Sequence, residues 1–545
     1  TIILKSNVQL QMQMDIAFED NSTHSELTSR YDYPSATVSG ALVDGILDAK
    51  RTVPLQVVRT IVHDVIVLGL SRECRKHQEG KNHLLHTSQM LDNSAKIRNI
   101  WEITCKFLNY CLSLPINQTK NDIIMKKTLT IITLMLLSIA ASAQTLSALE
   151  QLKATPRKAY GCDYPYQQDP TTLTKSPKGY KPFYISHYAR HGSRYYWSDQ
   201  LYKDLDTLLT VAHEKHVLTA EGQAFYEKFM AAKPELMTGI SELTQLGWEQ
   251  HQGIARTMYN RFPEVFKRGG NVLAVSSLVG RCVISMSAFC QELVQCNPKI
   301  EIREQSSRFT LDAVVPDDHQ NPHKHHYKMM APRYEKNRDK FNYDNSLKQR
   351  IVDRTFTSIK GLPGGIDRIA SNLISLYTSL PSIDHEGMMG NILTDDEIAS
   401  QWEQSNLGTY SWVFGPQYKV IPILEDFIQK ADAVLDGSSD HIADFRFGHD
   451  TYIGPMTVLM GINGADRDPE DPYEVKNCYQ NWETCKACNI QLVFYRSKKS
   501  SDPILVKCLL NGLEATLPVP TTQAPYYKWS DFKDFYTARI KAAMR

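Results

Sequence analysis

The chain has 545 residues, 42% of them hydrophobic and 22% charged, the composition of an ordinary soluble globular protein long enough for more than one domain. Its 61 Lys and Arg against 60 Asp and Glu leave a formal net charge of +1, which argues against a dedicated nucleic-acid binder, where a pronounced basic bias is expected. Any preference for an acidic ligand must come from local charge.

Residues 1–124 open on Thr1 and hold scattered apolar runs such as RTIVHDVIVLGL, without a sustained helical or alternating pattern. A poorly ordered segment is expected there. Residues 125–143 have the three regions of a secretory signal peptide: basic Met125, Lys126 and Lys127, an apolar run over 128–139, and the small-residue site Ala141-Ser142-Ala143 before Gln144. The run is shorter than a membrane-spanning stretch of about 18 residues and lacks a stop-transfer flank; a buried core helix is the bland alternative. A signal peptide must be amino-terminal to be read, so residues 1–124 are expected to be non-native upstream translation. The mature chain then starts near Gln144 and is exported to the periplasm or beyond. No Cys follows the cleavage site, so no lipoprotein anchor is indicated.

The segment YISHYARHGSRYYW, residues 184–197, places Arg190, His191, Gly192 and Arg194 directly after an apolar strand pattern. A neutral imidazole can attack phosphorus, guanidinium forks can hold phosphoryl oxygens, and a glycine allows close approach of backbone and substrate. Taken alone, Arg-His-Gly is equally a loop histidine beside surface arginines. Further on, NVLAVSSLVGRCVISMSAFCQEL reads as a strand over 271–275 followed by a helix with Arg281 in its first turns. Residues 301–415 read as predominantly helical and loop-rich, with a helix start at Thr394 and acidic residues in its first turn. Within them, His323, Lys324, His325, His326, Lys328, Arg333, Lys336 and Arg338 form either a positive rim that steers a many-phosphate ligand or a solvated basic face.

Toward the carboxyl end, ADFRFGHDTYIGPMTVLMGI reads as a strand over 443–447, then His449 and Asp450, then an apolar helical stretch over 455–461. Ligands of open α/β sheets collect outside the carboxyl ends of strands. Arg190, His191, Arg194, Arg281, His449 and Asp450 are therefore expected to meet in one crevice. Eight cysteines follow the signal segment, and their pairing is not readable from spacing. CYQNWETCKAC suggests zinc through Cys485 and Cys488, but it lacks a second CxxC and a His at ligand spacing, so a disulfide or free thiols stand ahead of a metal site. The tail KWSDFKDFYTARIKAAMR reads as a closing helix with Ser530 as N-cap. Residues 145–300 and 416–545, with their strand-helix alternation, are expected to form one α/β sheet domain with helices on both faces.

RHGSR at 190–194, the Arg281 helix after AVSS, HD at 449–450 and ELTQLGWEQHQGIA from Glu242 together resemble the histidine acid phosphatases, branch two of the histidine phosphatase superfamily, which include phytases and multiple inositol polyphosphate phosphatases. The similarity spans about residues 145–545. NIQLVFYRSKKSSDPILVKCLLNGLEATLPV looks most like the inositol polyphosphate phosphatase subgroup. The resemblance implies a phosphoglycerate-mutase-like three-layer sheet domain with 301–415 inserted as a helical cap over the site. It implies His191 as nucleophile forming a phosphohistidine and Asp450, protonated beforehand, as donor to the leaving alcohol. Arg190, Arg194, Arg281 and His449 then bind the phosphoryl oxygens, and neither metal nor cofactor is called for. Activity from acidic to near-neutral pH is expected.

Two departures stand out. Tyr196 replaces the proline that usually ends the Arg-His-Gly-x-Arg-x-Pro motif. His449-Asp450-Thr451 stands where the animal inositol polyphosphate phosphatases usually carry His-Ala-Glu, so positional preference on the ring is not carried over from them. The implied partner is a small phosphorylated molecule, an inositol polyphosphate first, with no nucleic acid and no membrane after signal removal. A broader acid or sugar phosphatase uses the same residues. A noncatalytic phosphate-ligand binding protein would need the arginines but not both His191 and Asp450. Tyr188, Tyr195, Tyr196 and Trp197 either line a specificity pocket or pack the loop.

Overall fold

The computed structural model describes residues 146–543; the readings made for residues 1–124 and 125–143 lie outside the described residues. The principal elements in chain order are β1 (Tyr180–Arg190), α1 (Asp199–Glu214), α2 (Ala220–Thr238), α3 (Gln245–Arg261), β2 (Gly270–Ser276), α4 (Gly280–Cys296), β3 (Ile300–Ser306), α5 (Ser346–Thr355), α6 (Ile366–Ser379), α7 (Trp402–Phe414) and α8 (Ile421–Asp436). They continue with β4 (His441–Gly448), α9 (Asp450–Met460), β5 (Asn489–Ser497), β6 (Leu505–Leu510), β7 (Leu513–Glu514), β8 (Tyr527–Lys528) and α10 (Trp529–Ala543).

The strands form one mixed sheet in the order β3-β2-β4-β1-β5-β6-β7, with β8 also paired to β6. Strands β3, β2, β4 and β1 are mutually parallel, and β5 turns antiparallel against β1. Alternation along β1 feeds both faces: Tyr184 and Tyr188 enter one core, Ile185 and Ala189 the other. The first core is covered by α8, α9 and α10, through Leu424, Phe427, Met456, Phe532 and Tyr536. The second is covered by α3 and α4, through Ile254, Met258, Phe289 and Leu293. The result is the expected three-layer α/β arrangement, buried on both faces as parallel strands require.

The expected division of the chain needs correction in two places. Strand β3 runs across the boundary set at 301 and completes the sheet. Helices α1 and α2, assigned to the sheet domain, instead share a separate helical core with α5 and α6, where Leu205, Phe229, Ile351 and Leu373 are buried together. The two segments are stitched by backbone bonds, Thr219 N to Thr355 O at 3.1 Å and Thr357 N to Val217 O at 2.8 Å. Periodicity shows that α1 has an apolar face but not what covers it, and both sheet faces are already filled.

Thr394 caps the helix Asp395–Ser400 in a capping box with Glu397, as its sequence predicts. Ser530 is not a cap. Helix α10 starts at Trp529, whose burial in the first core and bond from its N–H to Ile504 O set the first turn two residues earlier. All eight described cysteines are free. Among the described residues no helix is long and apolar enough to cross a membrane.

Candidate active site

Neighbouring parallel strands ending in register bring the candidate residues together. Arg190 pairs with Gly448 and Ser276 with Phe447, so the loops after β1, β2 and β4 leave the sheet side by side. Backbone bonds join those loops, His191 N to Gly448 O and Ser277 N to Phe447 O, each at 3.0 Å. The rings of His191 and His449 lie 5.7 Å apart, edge to face.

His191 is 1% exposed. Its Nδ1 lies 2.9 Å from Gly192 O. A carbonyl only accepts, so Nδ1–H donates and the lone pair remains on Nε2. Burial, and after it the charges of Arg190, Arg194 and Arg281, holds the ring well below the usual histidine range, hence neutral.

Asp450 heads α9. Its Oδ2 is 2.5 Å from Arg190 Nη2, and its Oδ1 accepts from Thr451 N at 2.8 Å. Burial acts to raise its pKa, but Arg190, Lys486 and Arg194 together outweigh burial and hold the carboxyl well below the usual carboxylate range. The free protein therefore carries Asp450 as a carboxylate, not as the protonated donor expected before binding.

Arg190 donates through Nη1 to Cys162 O at 2.5 Å and Thr484 O at 2.9 Å. Arg194 donates to Tyr195 O at 2.8 Å, and burial, then Arg190, push its pKa down to about 10. Arg281 donates to Ser241 Oγ at 2.6 Å, and its Nη2 stands 3.5 Å from His449 Nδ1. His449 Nε2 lies 3.1 Å from Ser277 Oγ. Burial, then Arg281, lowers the His449 pKa to about 3, so this ring too is neutral. The Nε–H groups of Arg190, Arg194 and Arg281 are all buried without an acceptor among the described residues. Desolvated, unsatisfied cationic donors of this kind gain most from an anion.

Gly192 is required by packing against another part of the chain. A Cβ on Gly192 would stand 2.4 Å from Gly247 O, and one on Gly247 would stand 2.2 Å from Ser193 O. Helix α3 thus enters flush against the loop, with Thr244 N bonded to Ser193 O at 3.0 Å and Gln250 Oε1 accepting from Ser193 N at 2.9 Å. Gly247→Ala is expected to cost about 1–3 kcal/mol of stability, as overpacking does, and to lower turnover by displacing the loop. Thermal melts and steady-state rates check this; an unchanged Tm and kcat would show that the contact yields freely.

The aromatic residues divide. Tyr188 is buried in the sheet core and donates to Val314 O at 2.8 Å. Tyr195 and Tyr196 pack on the helical core, while Trp197 is 62% exposed. In the basic loop Arg333 pairs with Asp468 and Glu470, Arg338 with Glu335 and His325 with Asp312. No group of three or more His, Cys, Asp or Glu side chains among the described residues is arranged to hold a metal. Sequence reasoning missed Ser241, Ser277, Asp163 and Lys486. Lys486 stood out only as a letter inside the cysteine-rich run, and Asp163 carried no signal.

No protein-family model and no curated protein matches the chain. Among solved structures it is similar to the multiple inositol polyphosphate phosphatase of Bifidobacterium longum. In complex with inositol hexasulfate that structure gives 18% identity, 70% of this chain, 97% of that one and a TM-score of 0.55. Its apo form gives 20% identity over the same shares with the same TM-score. The phytase of D. castellii is similar at 14% identity, 71% of this chain, 85% of that one and a TM-score of 0.51. At these identities the likeness establishes the shared fold alone.

Proposed function

We propose that this chain is an exported phosphomonoesterase of the histidine acid phosphatase type, acting on inositol polyphosphates such as phytate through a phosphohistidine. The observation that carries the reading is the neutral, buried imidazole of His191, with Nε2 left free by the Nδ1–Gly192 bond, among three guanidinium groups with unsatisfied Nε donors. The substrate class is supported by the likeness to an inositol polyphosphate phosphatase. Export is supported by the three-part pattern of residues 125–143.

In the proposed route His191 Nε2 attacks phosphorus as the ester P–O bond breaks, and the leaving oxygen takes a proton from Asp450. Water then attacks the phosphohistidine, the N–P bond breaks, and Asp450 takes the water's proton. Arg190, Arg194, Arg281 and His449 lie over the equatorial oxygens, where preorganised charge counts most. They supply the neutralisation, so the route calls on no metal or cofactor. Because Asp450 starts as a carboxylate, its proton arrives with substrate: the phosphoryl group draws Arg190 away and adds negative charge nearby, and both raise the carboxyl's proton affinity.

Phosphate release measured side by side from phytate, glucose 1-phosphate and an aryl phosphate tests the reading, with phytate expected to give the highest kcat/KM. Similar values on all three point to a broad acid phosphatase; tight binding without release points to a binding protein. Asp450→Asn is expected to slow alkyl esters by about 10²–10⁴-fold and the aryl ester far less, since a phenolate leaves with little protonation. Equal losses on both would remove Asp450 as the acid.

A further inference from the structure

Directly behind the candidate nucleophile, the segment 484–488 forms a strap. Thr484 O accepts from Arg190 Nη1, Ala487 N donates to His191 O at 2.9 Å, and Cys488 O accepts from Arg190 N at 2.9 Å. Lys486 lies in the middle of it, its N bonded to Tyr164 O at 3.0 Å. Its side chain is 2% exposed, and Nζ meets Asp163 Oδ1 at 2.6 Å. Asp163 follows Cys162, whose carbonyl is the other clamp on Arg190. The ion pair therefore ties together the two strips of chain that hold Arg190.

The charge balance gives the pair a role. Arg190, Arg194, Arg281 and Lys486 carry four positive charges and Asp450 and Asp163 two negative ones, with both histidines neutral. The net is two positive, the complement of a phosphoryl dianion; without Lys486 it is one. We propose that Lys486, positioned by Asp163, is a further positioning residue of the phosphate site, supplying the charge that bounds anion binding on the alkaline side. This inference rests on the reading of the crevice as a phosphoryl site.

The groups facing Lys486 are Asp163, Arg190, Arg194 and Asp450, with Cys485 beside it on the strap. Burial, then Arg190 and Arg194, pull the amine down to about 7, against Asp163. Burial raises the Cys485 thiol to about 12, so it stays neutral. Arg194, at about 10, titrates well above the lysine.

Sulfate is the probe, because it stays a dianion while the protein titrates. Its affinity is measured by calorimetry from about pH 5.5 to about pH 9 on the parent, Lys486→Met and Asp163→Asn. The parent should lose about ten-fold in affinity across neutrality, of the order expected for one fixed charge in such a site. Lys486→Met should start about ten-fold weaker, lack the fall across neutrality and meet the parent at alkaline pH; proton uptake at Asp450 on anion binding acts in both proteins and drops out of their ratio. Asp163→Asn, which removes the amine's stabilising partner, should move the fall toward acid by about one pH unit or more. A flat parent profile, or the same fall in Lys486→Met, overturns the inference. If Lys486→Met does not fold, the Asp163→Asn shift decides, and no shift overturns it. Phosphate release from phytate is followed on the parent alongside: release with a flat sulfate profile sinks this inference alone, and the expected profile without release sinks the hydrolase reading alone.

Discussion

Purified His191→Ala protein is expected to lose phosphomonoester hydrolysis by at least about 10³-fold while still binding sulfate within a few-fold of the parent. In the proposed route the imidazole supplies the electron pair for the N–P bond, and the second histidine is not placed to replace it, since His449 has Nε2 turned to Ser277 and Nδ1 beside Arg281. The fold should tolerate the change, because the ring's own hydrogen bond goes only to the carbonyl of the next residue. Rapid quench with radiolabelled substrate should leave an acid-labile, base-stable label on the parent and none on the variant. Hydrolysis by the variant at the parental rate would remove His191 from the chemistry.

Stability is expected to fall steeply as pH drops from about 6.5 toward 4. His187, His191, His251 and His449 all have folded-state pKa values depressed primarily by burial. Neither ring nitrogen of His187 has a hydrogen-bond partner among the described residues, and the ring sits among those of Phe289, Phe445 and Phe447 at 5.3–5.6 Å. Unfolding frees each ring to take a proton near its ordinary pKa, so the unfolded chain binds more protons in this window and acid favours it. For His251, at about 3 when folded, the loss at pH 5 is about 2 kcal/mol. His441 and Glu483 have the opposite sign: His441 is raised by its bond to Asp444 and Glu483 is pushed up to about 7 by burial, so both bind protons more readily when folded and offset part of the loss from the four histidines. The depressed carboxylates Asp163, Asp444 and Asp450 act below about pH 4, outside this window. Denaturant unfolding at about pH 7.5 and about pH 5 should differ by several kcal/mol, and His251→Leu should narrow the gap by about 2 kcal/mol. Equal stability at both values would mean that the rings are reached by water or protonated in place.

The acid side of any activity profile is then bounded by the fold as well as by chemistry. Neutral His191 and carboxylate Asp450 in the free protein mean that a proton must come in with substrate, and the scaffold that holds them loses stability in acid.

Strand ends followed by Arg-His-Gly and His-Asp were legible because both the strand pattern and the chemistry are local. The cap at Thr394 was legible for the same reason, a hydroxyl and a carboxylate three residues apart closing one helical turn. The start of α10 was misplaced because tertiary burial of Trp529 overrode a local capping preference at Ser530. Gly192 was read as room for substrate, whereas its nearest obstacle is the backbone of Gly247.

Residue types and their short-range spacing were sufficient for the three-layer sheet class and for the strand-end positions of His191 and the phosphate-binding candidates. Folding alone decided that α1 and α2 join the later helices, that Asp450 is ionised against Arg190, and that Asp163 meets Lys486 across 323 positions. Periodicity and capping act over one or two turns, while burial and ion pairing depend on which distant surfaces come into contact.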